Sequence, residues 1–270
     1  MRLLSAALAF FLLTATTVQA SEFERLMVAL KMDEAVDILT EEGGSSALDL
    51  EESMFPGMGG PTWVQDVERI YDAAPRKVQL REEMASMLSE TDLEPLLTFF
   101  ESEMGQRIMT LEISARRAFM DPTMEDVATE TFADAEETRP VLHAQVLDFT
   151  EINGLIDANV EGAFRTNAAF AIGAHEAGAF AEMSVETLIA EMWSGDELVK
   201  ADVTSWLYAF QMTAYAPLAS EELAVYIAIS KTEEGQALNA AIMGGFDTML
   251  TDMSYELGFA AGRFMSQQEL

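Results

Sequence analysis

The stretch Leu88–Met109, LSETDLEPLLTFFESEMGQRIM, returns without a gap 130 positions later as Leu218–Asn239, LASEELAVYIAISKTEEGQALN. The shift places Leu88 on Leu218, Leu93 on Leu223, Glu103 on Glu233, Gly105 on Gly235 and Gln106 on Gln236, and sets Leu97, Phe99 and Ile108 on Ile227, Ile229 and Leu238. Identity alone is thin, but caps, glycine and apolar spacing recur together. In the first copy Ser89 and Asp92 have the spacing of a capping box ahead of a helix with Leu93, Leu96, Leu97 and Phe100 on its inner side. Ser102 is then expected to cap the next helix, which puts Gly105 in the first turn, where a missing side chain lets a neighbouring backbone come close. In the second copy Ser220 or a neighbour, Thr232 and Gly235 take the same places. Trp63 and Trp193, and Gly43 and Gly173, are related by the same shift. Two related helical halves are the expectation.

Apolar residues elsewhere recur at three and four, the period of a helix face, and no segment alternates as a half-buried strand does. Phe23, Leu26, Met27 and Leu30 form a first stripe; Asp33 is expected to cap a short helix that Gly43-Gly44 ends. The run GMGGP at 57–61, after Met54-Phe55-Pro56, reads as a loop folded back over the core, with an exposed docking surface as the alternative. Thr62 stands where the next N-cap belongs, and Pro75 either opens a helix or bends one. Pro122 to Thr138 is an acidic helix, and Val141 to Phe164 keeps helical spacing long enough to be the longest helix. Small residues from Ala168 to Ala181 allow close backbone packing. Ser184 caps a short helix to Trp193, Ser194-Gly195-Asp196 turns the chain, and Pro217 stops the helix that follows. The expected fold is all-α and helical bundle-like: a leader at 1–20, a first half at 21–121, connecting helices at 122–150 and a second half at 151–270.

The leader, MRLLSAALAFFLLTATTVQA, has a basic residue, an apolar run and small residues ending in Ala20, the layout of a cleavable secretory signal. Its apolar run, Leu3 to Leu13, is shorter than the roughly 20 residues a membrane-spanning helix needs. Cleavage is expected after Ala20, leaving no membrane span and a periplasmic or secreted protein; a retained anchor is the alternative. The chain has no cysteine, which removes disulfides, thiolate metal sites and a lipid-anchored N-terminus. Loss of the leader removes only Arg2 among charged residues, leaving 47 acidic against 14 basic side chains. Such a field opposes nucleic acid and anionic membranes as partners.

With these residues in view, LSETDLEPLLTFFESEMGQRI resembles the bacterial exported family catalogued as domain of unknown function 2059. The resemblance rests on the acidic cap region, Leu93, Phe99-Phe100, Ser102 and Gly105-Gln106, with Glu103 where the family often has proline. The second copy carries Ile229-Ser230 in place of the aromatic pair. The resemblance implies a helical fold and a bacterial periplasmic or secreted setting, and it implies no activity.

No catalytic constellation emerges. Neither His143 nor His175 belongs to a Glu-x-x-His pair, and His175-Glu176 lacks the second histidine of a zinc-protease helix because position 179 is alanine. Both are expected to be structural or solvent-facing. No Gly-x-Ser-x-Gly elbow, Ser-x-x-Lys motif, Walker loop, EF-hand loop or dinucleotide fingerprint is present. Glu41-Glu42 and Glu136-Glu137 read as solvated faces rather than acid/base pairs. Met54 and Met58 alone have loop spacing suited to copper(I), but methionine serves here mainly as a core filler. The expectation is therefore no enzyme, no cofactor, no metal and no catalytic residue: a non-catalytic module whose partner is another periplasmic or envelope protein. The alternative is a small-molecule or metal-cation binding protein with its site between the halves.

Overall fold

The computed structural model describes residues 19–192 and 196–267, so the leader up to Val18 and the expected Trp193 and Ser194-Gly195 turn lie outside it. The described residues are all α-helical, without strand. The order is α1 (19–29), α2 (Met32–Met54), α3 (Gly60–Ile70), α4 (Ala73–Met87), α5 (Glu94–Phe100), α6 (Glu103–Ala118) and α7 (Pro122–Thr138). It continues with α8 (Pro140–Ile152), α9 (Leu155–Glu176), α10 (Val185–Met192), α11 (Asp196–Tyr215), α12 (Ser220–Ser230) and α13 (Glu233–Met265). None of these helices is long and apolar enough to cross a membrane.

The two corners, α5–α6 and α12–α13, are built alike. Ser102 Oγ accepts from Gly105 N at 3.1 Å, and Thr232 Oγ1 from Gly235 N at 3.0 Å. A β-carbon on Gly105 would lie 2.2 Å from Phe99 O, and one on Gly235 2.1 Å from Ile229 O, so only glycine lets each first turn touch the end of the preceding helix. The paired glutamines have a role that spacing alone did not reveal: Gln106 Nε2 donates to Phe100 O at 2.7 Å and Gln236 Nε2 to Ser230 O at 2.5 Å. Each satisfies the carbonyl of the last residue of the helix before the corner, one of the groups a helix cannot pair internally.

Partners also exchange between corners. α13 packs on α4, where Gly245 admits Leu80 and Met84, while α6 packs on α11. One continuous apolar core results, running from Phe23 and Leu26 through Phe100 and Ile108 to Leu223, Met249 and Phe264.

Several expectations about helix ends are corrected. Gly43-Gly44 does not end α2; both lie inside it, because the Tyr71 ring rests against them and a β-carbon on Gly43 would sit 2.4 Å from Tyr71 Cε1. Asp33 is not the cap of that helix, which starts from a left-handed Lys31, and pairs instead with Arg81 at 2.6 Å. Thr62 lies inside α3, and Glu51 takes over the cap by accepting from Gly59 N and Gly60 N, both at 3.0 Å. Asp92 rather than Ser89 serves α5, its Oδ1 accepting from Glu94 N at 3.1 Å. Val141 to Phe164 is not one helix. Gly154 adopts φ 59° between α8 and α9, and α13 is the longest helix described. The apolar spacing hides this break because Ile152 and Ile156 stay in register across it.

The loop after α2 does fold inward: Phe55 is fully buried, its ring 5.0 Å from Trp63 and 5.2 Å from Phe264. Met54 and Met58 pack against the same core. The small residues of α9 also perform as expected. Ser254 Oγ donates to Thr166 O at 2.8 Å, Gly258 lies on Phe170 O and Gly262 on Ala174 O. Both series advance by four residues in the same sense, so α9 and α13 run parallel with their backbones in contact.

Candidate functional site

Where the two corners face each other they leave a small, partly open cavity of about 140 Å³. Its walls include Phe100 and Ser230, Met109 and Asn239, and Glu112 and Ile242, three pairs each related by the 130-residue shift. Within every pair one side chain is apolar and the other polar. The cavity therefore lies where the two corners meet, and its lining is where their side chains differ in character.

Glu112 stands on α6 four residues after Ile108, which is fully buried. Tyr215 OH, from the end of α11, donates to Glu112 Oε1 at 2.8 Å, and Tyr226 of α12 lies beside the same carboxylate. Part of the residue stays accessible, but the carboxylate lies deep among protein atoms. Burial pushes its pKa up to about 7, against the opposing pull of the two phenols. Burial likewise lifts both tyrosines well above the usual phenol range, so they remain donors. No lysine or arginine lines the cavity, and Glu112 is its one acidic wall residue.

Other polar groups there are turned to protein partners. Asn239 Nδ2 donates to Asn153 O, Asn153 Nδ2 to Phe149 O, and Ser230 Oγ to Tyr226 O. Phe100, Phe149 and Tyr226 supply aromatic walls; the Phe149 and Tyr226 rings are 5.0 Å apart. A larger cleft of about 660 Å³ among α9, α11 and α13 is open to solvent, and its Arg165 is engaged by Asp247 at 2.9 Å. The smaller cavity carries the uncompensated charge and is the stronger candidate.

The residues weighed from sequence do not converge on it. His143 stacks on Phe132 at 4.9 Å, and His175 Nε2 donates to Met183 O at 3.0 Å, so both have structural roles. Glu136 and Glu137 are exposed, while Glu42 pairs with Arg116. No group of three or more His, Asp or Glu side chains that could hold a metal occurs among the described residues. Glu112, Tyr215 and Tyr226 escaped notice as a set. The available signal was a carboxylate at helical spacing from Met104 and Ile108 on an apolar stripe; the tyrosines come from distant helices that only packing brings together.

Comparison with curated proteins and with solved structures returns no match. A family model does match, over residues 79–134, and its description reads uncharacterized protein conserved in bacteria. This segment holds the first corner and Glu112, whereas the second corner lies outside it. Residues 79–134 are thus similar to that bacterial family, domain of unknown function 2059, to which the Leu88–Met109 stretch had pointed.

Proposed function

We propose that this is an exported, non-catalytic protein that binds a small molecule in the cavity between its two corners. Of the two expectations raised by the sequence, this one has the more specific support: a small cavity whose carboxylate lies deep among protein atoms, with no basic neighbour in its lining. A charged group kept in such a place costs stability, and retained cost of this kind is characteristic of sites. A thermal-shift screen of the mature protein against small polar and apolar compounds tests the reading, with Ile242→Phe as a variant that fills the cavity and leaves the carboxylate untouched. Some compounds are expected to raise the melting temperature of the native protein and not that of the variant. If none moves the native protein, or if the shifts survive filling, the reading is wrong.

Export belongs to the same proposal. Phe23, the first core residue among those described, lies just beyond the expected cleavage point after Ala20, so a chain processed there keeps every described core residue. Mass spectrometry of the periplasmic fraction should find a chain beginning at Ser21; recovery only in the cytoplasm with Met1 in place would refute export.

A further inference from the structure

The ligand class can be read from the cavity, given the binding role proposed above. We infer that the site accepts a small organic ammonium, its nitrogen on Glu112 and its carbon skeleton against Phe100, Phe149, Met109 and Ile242.

The lining contains one carboxylate and no lysine or arginine, so an ionised Glu112 lacks a counter-charge inside the protein. The titratable groups facing it are Tyr215 from α11 and Tyr226 from α12, and both stay neutral donors. Each carboxylate oxygen has more than one acceptor site, so two phenols leave capacity for an N–H donor. A cation supplies the missing charge; an anion would meet repulsion from the ionised carboxylate with no lysine or arginine in the lining to offset it.

The remaining lining selects an organic cation over a metal ion. Calcium needs six to eight oxygen ligands and magnesium a near-octahedral set, which one carboxylate among apolar and aromatic walls does not provide. Aromatic faces do attract ammonium groups, most strongly where water is excluded. Size sets the upper limit: an apolar cavity of about 150 Å³ takes up benzene, and this one is about 140 Å³. A short alkylammonium fits, whereas a polyamine chain does not fit wholly inside.

The experiment is isothermal titration of the mature native protein at pH 8 with n-butylammonium, n-butanol and butyrate, repeated on Glu112→Gln and Ile242→Phe. Circular dichroism establishes that each variant is folded. Butylammonium is expected to bind the native protein in preference to butanol and butyrate. Glu112→Gln should weaken that binding by about tenfold to hundredfold, the loss of a charge-assisted contact, while leaving butanol unchanged. Ile242→Phe should exclude all three probes. If butanol binds as well as butylammonium, or if Glu112→Gln does not discriminate between them, the ammonium assignment is overturned and the cavity remains a ligand site. If no probe binds and the compound screen above is also empty, the binding role fails with it.

Discussion

Glu112→Gln is expected to make the ligand-free protein more stable at pH 8, by about 3 kcal/mol, the free energy of a pKa displaced from 4.5 to about 7. The sign follows from linkage. The folded state holds a proton on Glu112 that the unfolded state has already released between pH 4.5 and 7, so the folded form loses stability as pH rises through that window. Below pH 4.5 both states are protonated and no penalty exists; above 7 the penalty is complete. Glutamine keeps the shape and an acceptor for Tyr215 but carries no charge. Urea denaturation of both proteins from pH 4.5 to 8 should give midpoints that converge at the acid end and separate steadily towards pH 8. The comparison cancels contributions from the other acids, which matters in a chain with 47 of them. A difference that is flat with pH would mean that Glu112 does not titrate where its burial implies, and it would remove the main electrostatic support for a site.

Gly258→Ala should be the most damaging single-methyl addition in the parallel α9–α13 pair. The new β-carbon would lie 2.0 Å from Phe170 O and 2.7 Å from the carbonyl carbon, both backbone atoms of a packed helix that no rotamer change can move aside. The helices must separate, and overpacking of this sort costs about 3 kcal/mol, more than the gain of up to about 1 kcal/mol from replacing a helical glycine. Gly162, on the same pair, provides the contrast. Its nearest neighbour beyond the local chain would be Asp247 Oδ1 at 3.4 Å, so Gly162→Ala should be neutral or stabilising. Thermal melts of the two variants decide the point: equal effects would show that direct backbone contact at Gly258 is not what holds the helices together.

These two predictions concern features of unequal legibility. Local rules read the corners well, because a cap, a glycine in the first turn and a preceding apolar stripe are decided within about ten residues; Ser102, Thr232, Gly105 and Gly235 all act as their spacing indicated. They failed where a distant partner overrides the neighbours. Gly43-Gly44 looks like a stop until Tyr71 is seen against it, and Thr62 looks like a cap until Glu51 arrives from the preceding helix. The site failed for the same reason on a larger scale, since Glu112 is separated by 103 residues from Tyr215.

Sequence by itself determined that the chain is helical, that two corners 130 residues apart carry the same cap and glycine, and that the first resembles a bacterial family whose model also matches it. Those properties depend on periodicity and short-range hydrogen bonding, which neighbouring residues carry. Only the tertiary structure decided that the corners share one core, that α4 and α11 exchange partners between them, and that Glu112 is set with two phenols beside an aromatic wall. The physical reason is that burial is not a property of a residue. A glutamate has an ordinary pKa until packing removes its water, and here that water is removed by helices α11 and α12, which lie far along the chain from α6.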